Sequence, residues 1–419
     1  MSDMLSVLWA FASMNLTHSD LFAEVRKVLH QQVESCSPKE LTQITWALSR
    51  LKEADEDLLC HVIAPVVREK MMDFEVPRDL CTLAFAYSNA KVMDEGLFSD
   101  LAHVLSSKVR LMNAHDISSV VAAFSTIEYA HKSLFKALQR HTKATLKTFS
   151  PLQLARTIHG FGIAGVEDPS LYRQLCNEVM KKKQDLHAKN IVEILIGLAE
   201  AEFVPESAMT LLEDVDVCRW LDAKDCIQAL HALVRLPQLE SKAFRLEVLK
   251  VIRKRSQGWW RFEINDMADL IEATVALTIE DHLLFKLCLG QLPRLLGKDH
   301  PPSAFLRLWG ALSELPKPQR QQMLEEVHRN RRLRQALEVK VQEAAAAICR
   351  LFPSNESDEM LETDDTSTAV KAGSQLLVAC ASLGWDLHLQ PLVDALDLSL
   401  DESTWTSLHG DFVWAICEL

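Results

Sequence analysis

Two stretches of this sequence carry side chains suited to a polyanion. Between His131 and Asp185 stand ten Lys/Arg against four Asp/Glu, with Lys143, Lys147, Lys181, Lys182 and Lys183 prominent among them. The second stretch, Arg253-Lys254-Arg255-Ser256-Gln257-Gly258-Trp259-Trp260-Arg261-Phe262, combines cations with large aromatics. Cationic groups neutralise phosphates and flat aromatic faces accept stacked bases, so the chemistry these residues serve is nucleic-acid binding. The alternative is a long loop in which Trp259 and Trp260 pack and the charges stay in water. The 419-residue chain has a formal net charge of −13, which argues against a generic basic coat and confines phosphate contacts to local patches. A third basic run, Arg329 to Arg334, reads as a solvated helix face.

Catalytic chemistry has no comparable signature. The chain contains no H-E-x-x-H, no P-loop and no G-x-S-x-G. Gly160-Phe161-Gly162-Ile163-Ala164-Gly165 fits the dinucleotide fingerprint by letter, but it ends a predicted helix instead of following a strand. Asp57, Asp116 and similar acids recur at helix starts, where capping explains them. Of the ten cysteines no two form a C-x-x-C pair, and no Cys/His grouping has zinc-ligand spacing. Most sit among apolar residues at helical spacing, as small core residues do, and a reducing compartment is the simplest reading. The expectation is a protein that is not an enzyme, with no catalytic, cofactor or metal site and no small-molecule substrate. No apolar run approaches the length of a membrane span, so no membrane partner is expected. Met1 to Leu8 has no basic stretch ahead of an apolar one, so no targeting segment is visible.

The elements that position these residues are helices in a repeat. Met4-Leu5-Ser6-Val7-Leu8-Trp9-Ala10-Phe11-Ala12 matches Leu41 to Ser49 and Leu80 to Ser88. With the small residue after the aromatic as anchor, units fall at Ala10, Ala47, Ala86, Ala123, Gly160, Gly197, Ala232, Ala276, Ala311, Ala379 and Ala415, with a modal period of 37. Residues six and three before the anchor and one after it are apolar and share one side of a helix. Ser37-Pro38-Lys39-Glu40 and Ser150-Pro151-Leu152-Gln153 are capping boxes with proline at the first helical position, and Asn113 to Asp116 and Asp222 to Asp225 are variants. Leu21-Phe22, Leu58-Leu59, Leu97-Phe98, Leu134-Phe135 and Leu171-Tyr172 open a second helix in each unit. A helix pair cannot bury its apolar face alone, so the pairs must stack. The predicted fold is all-α: a right-handed-type α-solenoid superhelix of about eleven helix-pair repeats. The scarcity of glycine, 12 residues, suggests that few turns need special backbone angles.

Four residues before the anchors the side chains are polar and differ: Gln43, Thr82, Ser119, Arg156 and Gln228 among them. Residues three after the anchor share that face. In helical-repeat RNA readers, side chains at fixed offsets touch successive bases. A solvated helix face would also be polar and free to vary, and the pattern alone leaves both readings open.

The expected organisation is a repeat array over 1–352 with about nine repeats, an acidic flexible linker or loop over 353–368, and further repeats over 369–419. Pro353 to Thr366 holds six acids and no base. Because both ends fall inside repeats and solenoids need polar caps, the expectation is a fragment.

The units of about 37 residues, with Trp-Ala-Leu-Ser or Phe-Ala-Tyr-Ser in the first helix and Leu-Phe opening the second, resemble the octotricopeptide-like and heptatricopeptide repeats of organellar RNA-binding proteins. They are also similar to the leucine-rich helical region of the FAST-kinase-domain family and to the helical-repeat subunits of kinetoplastid RNA-editing complexes. The resemblance covers roughly Met4 to Leu315 and part of Ala372 to Leu419; the RAP domain that ends many relatives is not seen. It implies a mitochondrial or plastid protein that binds single-stranded or structured RNA, within a ribonucleoprotein complex, in RNA processing, stability, ribosomal RNA assembly or translation. On this reading Lys181→Glu with Lys182→Glu weakens RNA binding. The alternative is a non-enzymatic protein–protein scaffold, which the acidic balance favours.

Overall fold

From the second unit on, each first helix begins nine residues before its small anchor, where the sequence supplies a cap or a proline. The computed structural model describes residues 2–349 except 17, 52–55, 214, 240 and 256–260. In chain order the helices are α1 (Ser2–Met14), α2 (Ser19–Gln32), α3 (Pro38–Leu51), α4 (Ala64–Glu69, preceded by a π-helical turn Asp57–Ile63), α5 (Pro77–Ala90), α6 (Glu95–Lys108), α7 (Ala114–Thr126), α8 (Lys132–Thr145), α9 (Pro151–Ile163), α10 (Pro169–Lys181), α11 (Ala188–Glu200), α12 (Ala223–Arg235), α13 (Lys242–Lys254), α14 (Ile264–Ala276), α15 (His282–Leu296), α16 (Pro302–Ser313), α17 (Lys317–Arg329) and α18 (Arg331–Cys349). No strand occurs among the described residues. The fold is an all-α solenoid. The expected linker and the repeats anchored at Ala379 and Ala415 lie outside the described residues.

The helices form two compact units. The first comprises Met1–Val217 with Arg235–Phe244, and the second comprises Cys218–Val234 with the chain from Arg245. In the first unit, successive first helices pack side by side in the order α1, α3, α5, α7, α9, α11, and α4, α6 and α8 likewise follow one another. In the second unit, α14 packs on α16 and α16 on α18.

The apolar positions of the first helices form the core. Leu41, Ile44 and Leu48, like Leu80, Leu83 and Tyr87 and like Ile117, Val120 and Phe124, are buried. The capping boxes close as the sequence predicts: Asn113 accepts from the backbone of Asp116, and Ser150 from that of Gln153. Second helices are capped by Asp94, Asp168 and Asp281, which accept from the N–H groups of Leu97, Leu171 and Leu284. Asp57 is different: it lies in the π-helical turn, which has no side-chain cap.

The small anchors permit backbone contact. A Cβ added at Gly162 would collide with the carbonyl of Gly197, and one added at Gly160 would lie 2.5 Å from Val121 Cγ1. The glycine-rich stretch that imitates a dinucleotide fingerprint is therefore the seam where α9 meets α7 and α11.

Three expectations need correction. The unit that opens with α11 has no second α-helix; 3-10 turns Glu206–Leu212 and Val215–Trp220 take its place. Val215-Asp216-Val217 are poor helix formers, which fits. The anchor of α14 is Ala273, fully buried, and not Ala276, which is exposed at the helix end. A polar Thr274 stands where other units have an aromatic or Leu, so matching by apolar letters slips by three residues, a step that stays on the same helix face. Glycine scarcity also misleads. Asn15, Lys91, Glu128, Gly165, Glu202 and Thr278 all have positive φ. Each lies five residues after its anchor, with Ala273 as the anchor for Thr278, and reverses the chain as the left-handed residue that ends a helix. Five of these six are not glycine.

Basic side chains staple one repeat to the next. The carbonyls just beyond the 3-10 turns that close second helices lack helical partners. Lys70 donates to the carbonyl of Cys36 at 2.7 Å, Lys108 to that of Phe74, His141 approaches that of Met112 at 3.0 Å, and Lys182 donates to that of Phe149 at 2.6 Å. In the second unit Arg255 donates to the carbonyl of Arg219 at 2.8 Å.

Candidate nucleic-acid interface

A residue one before the anchor sits on the same helix face as the residue four before it and the residue eight before it. In α1, α3 and α5 that position is aromatic: Trp9, Trp46 and Phe85. Such a stripe would ordinarily belong to the core, yet Trp9 is 58% exposed and Phe85 38%, and Trp46 is half-buried. Eight before the anchor stand Lys39, Arg78 and His115, all exposed.

These rows meet in grooves between neighbouring first helices. One groove, of about 590 Å³, is lined by Ser6 and Trp9 of α1 and by Lys39 and Gln43 of α3. Another, of about 180 Å³, brings together Trp46 of α3, Arg78, Thr82 and Phe85 of α5, His115, Asp116 and Ser119 of α7, and Arg156 of α9. Arg50 lies over the Trp46 ring, 5.6 Å from its centroid, and also donates to the carbonyl of Ala12 at 2.9 Å, so the indole is held in place. Lys39, Arg78 and Arg156 have no ion pair among the described residues, so their charges remain available to a ligand.

The structure therefore gathers four of the residues nominated from the row four before the anchor, Gln43, Thr82, Ser119 and Arg156, on one face of the first unit. Thr82 spends its hydroxyl hydrogen on the carbonyl of Arg78, at 2.8 Å. Gln228 is exposed on α12 in the second unit. There the equivalent face is closed by charge pairing. Arg307 lies 2.5 Å from Asp269 and 2.6 Å from Glu272, Lys224 pairs with Asp266 at 2.8 Å, and His231 is 3.9 Å from Glu272. His231, Asp269 and Glu272 are close enough together to hold a metal ion, but the guanidinium of Arg307 already stands against both carboxylates.

The nominated lysines do not join these first-helix grooves; Lys143, Lys147 and Lys181 instead line a separate groove of about 450 Å³ at α8 and α10. Lys143 pairs with Asp168 at 2.6 Å. Burial raises the Asp168 carboxyl, but the Lys143 hydrogen bond and the N–H of Leu171 outweigh it and hold the group below its ordinary value. Lys181 and Lys182 converge on the buried carboxylate of Glu178 at 2.9 and 3.2 Å, and Lys183 donates to the carbonyl of Thr210. Lys147 is exposed and lends its carbonyl to Lys182. In the second stretch, Arg253 pairs with Asp281 at 3.0 Å, Arg255 is a staple, and Lys254 is exposed. Trp259 and Trp260 lie outside the described residues. Lys143, Lys182, Lys183, Arg253 and Arg255 thus serve as internal cross-links to acids or carbonyls distant in sequence, whereas Lys181 pairs locally with Glu178 and Lys147 and Lys254 stay exposed.

Sequence reasoning missed Trp9, Trp46, Phe85, Lys39 and Arg78. The signal was present, since the aromatics helped define the anchor, but an aromatic at helical spacing reads as core until its exposure is known. Among the described residues Cys36, Cys81, Cys176, Cys218, Cys226 and Cys288 are buried, and Cys60 and Cys349 are half-buried. Burial pushes Cys176 and Cys288 up to about 12, far from a reactive thiolate.

The sequence model of the RNA-editing substrate-binding complex 6 protein family matches residues 1–258. No curated protein matches the chain. Among solved structures, the chain is similar to a homology model of the full-length AP-3 complex in an intermediate open conformation. That likeness, at 13% identity over 98% of this chain and 78% of the other with a TM-score of 0.34, carries no argument.

Proposed function

This chain belongs to the RNA-editing substrate-binding complex 6 protein family, and on that premise we propose that it is a non-catalytic RNA-binding solenoid of a mitochondrial RNA-editing complex. Of the groups its repeats resemble, the family match supports the RNA-editing subunits and a mitochondrial setting, and lends no support to the RAP-domain and FAST-kinase groups or to a plastid. RNA lies along the first-helix face of α1 to α9. The observation that carries this reading is the groove-lining aromatic row of exposed Trp9 and Phe85 and half-buried Trp46, flanked by the unpaired cations Lys39, Arg78 and Arg156. Bases stack on the rings and phosphates lie against the cations.

The test is binding of single-stranded RNA to the full chain across a salt series. Arg78→Ala with Arg156→Ala should weaken binding and reduce the salt slope by roughly 0.7 for each phosphate no longer neutralised. Absence of binding at low salt, or a double mutant with unchanged affinity and slope, overturns the reading.

A protein partner is the second reading, supported by a different edge. Met72 and Leu111, in the 3-10 turns that close successive second helices, are 80% and 72% exposed, and Val76 beside them is 52% exposed. Met72→Asp with Leu111→Asp should release a protein partner of the editing complex without altering RNA affinity. Co-purification that survives the double mutant rules this edge out as the docking surface.

A further inference from the structure

We propose that the groove between α5 and α7 is a pocket for a single nucleobase that carries an exocyclic amine. The inference rests on the RNA reading and adds what the RNA must offer at this point.

Size and walls come first. The groove, about 180 Å³, is smaller than a typical cofactor pocket of roughly 300–1,000 Å³ and suits one ring system. Trp46 and Phe85 line it with aromatic surface, and Arg50 holds the indole from outside. Arg78 and Arg156 stand at the same groove with no ion pair among the described residues, where the phosphates flanking an inserted base would lie.

The second observation is independent of the rings. Asp116 lines the groove, is 4% exposed, and uses only one of its carboxylate oxygens. Oδ2 accepts the backbone N–H of Asn113 at 3.1 Å in the capping box. Oδ1 is buried and accepts no hydrogen bond from any described residue. Capping requires one oxygen, so the helix start does not account for the other. A buried acceptor without a donor is destabilising, and a donor arriving with a ligand removes that penalty. Carboxylates accept from the exocyclic amines of bases. Adenine, cytosine and guanine carry such an amine, whereas the one donor of uracil, its N3–H, is flanked on both sides by carbonyl oxygens that a carboxylate repels. Asp116 thus selects for an amine and against uracil, while Trp46 and Phe85 supply stacking that every base shares.

Asp116→Asn separates these contributions. The amide oxygen can still accept from Asn113, and the amide NH₂ places a donor where Oδ1 was. Binding of oligo(rC), oligo(rA) and oligo(rU) to the full chain is measured by fluorescence anisotropy, with a thermal melt of each variant. Wild type should bind oligo(rC) and oligo(rA) about tenfold more tightly than oligo(rU), and Asp116→Asn should erase that preference at an unchanged melting temperature. Trp46→Ala with Phe85→Ala should weaken all three by about tenfold or more. Equal binding of the three by wild type, or a preference that survives Asp116→Asn, overturns the pocket and leaves the RNA reading standing. Failure of wild type to bind any of the three at low salt overturns the RNA reading itself.

Discussion

Lys182, just beyond the end of α10, donates from Nζ to the carbonyl oxygen of Phe149, 2.6 Å away at the turn that closes the preceding repeat. It also reaches the carbonyl of Lys147 at 3.0 Å and lies 3.2 Å from Glu178. A lysine so engaged is a structural cross-link between repeats. Lys182→Ala should therefore cost about 1–2 kcal/mol of stability in a urea melt, since hydrogen bonds to a charged donor are the stronger kind. RNA affinity should stay the same. A variant with wild-type stability and weakened RNA binding would return Lys182 to the phosphate contacts. Charge reversal at Lys181 and Lys182 together would mainly report unfolding.

The approach of α9 to α11 sets the second prediction. Gly162→Ala places a methyl group into the carbonyl of Gly197, whereas Gly290 in α15 has open space around it. Overpacking costs about 1–3 kcal/mol, and replacing a helical glycine by alanine contributes about 0.5–1 kcal/mol. Gly162→Ala should lower the melting temperature and Gly290→Ala should raise it. Equal shifts from both would show that helix propensity, and not close approach, governs the site.

Glu178 provides a pH dependence. The hydrogen bond from Lys181 holds its carboxyl below the ordinary value of 4.5; burial opposes this, and the hydrogen bond from Lys182 assists. A carboxyl depressed in the folded state contributes stability that is present above the unfolded value and is lost as pH falls through the folded value. The stability difference between wild type and Glu178→Gln should be largest near neutral pH and shrink progressively below pH 4.5. A difference that is constant from pH 7 to pH 3 would mean that the ion pairs contribute nothing.

Thr278 ends α14 with φ of 50°, a conformation costly for a β-branched residue. Thr278→Gly should stabilise the chain by about 1 kcal/mol, because glycine adopts the left-handed region without steric penalty. Gly165, at the equivalent place after α9, already has φ of 65° with nothing near its missing Cβ. A melting temperature lowered by Thr278→Gly would show that the threonine side chain makes contacts outweighing the strain.

The amino-acid sequence by itself determined the repeat, the all-α fold, the first-helix apolar face and the capping boxes. These depend on neighbours within about a turn of helix: a serine and the glutamine three residues later, or apolar residues at helical spacing. The solenoid multiplies such local rules, so they were legible. Only the tertiary structure decided which charges are free. Lys143, Lys181, Lys182 and Arg253 look like a phosphate-binding set in one dimension, but Asp168, Glu178, the carbonyl of Phe149 and Asp281 claim them. Lys39 and Arg78, inconspicuous in sequence, and Arg156, marked only by its place in the repeat, are left unpaired beside Trp9, Trp46 and Phe85. The slip from Ala273 to Ala276 has the same origin, because both residues lie on one helix face and only packing against the next helix distinguishes them. Local sequence sets which way a side chain leaves its helix, whereas whether it meets solvent, an acid or a carbonyl depends on a repeat some 35 residues away.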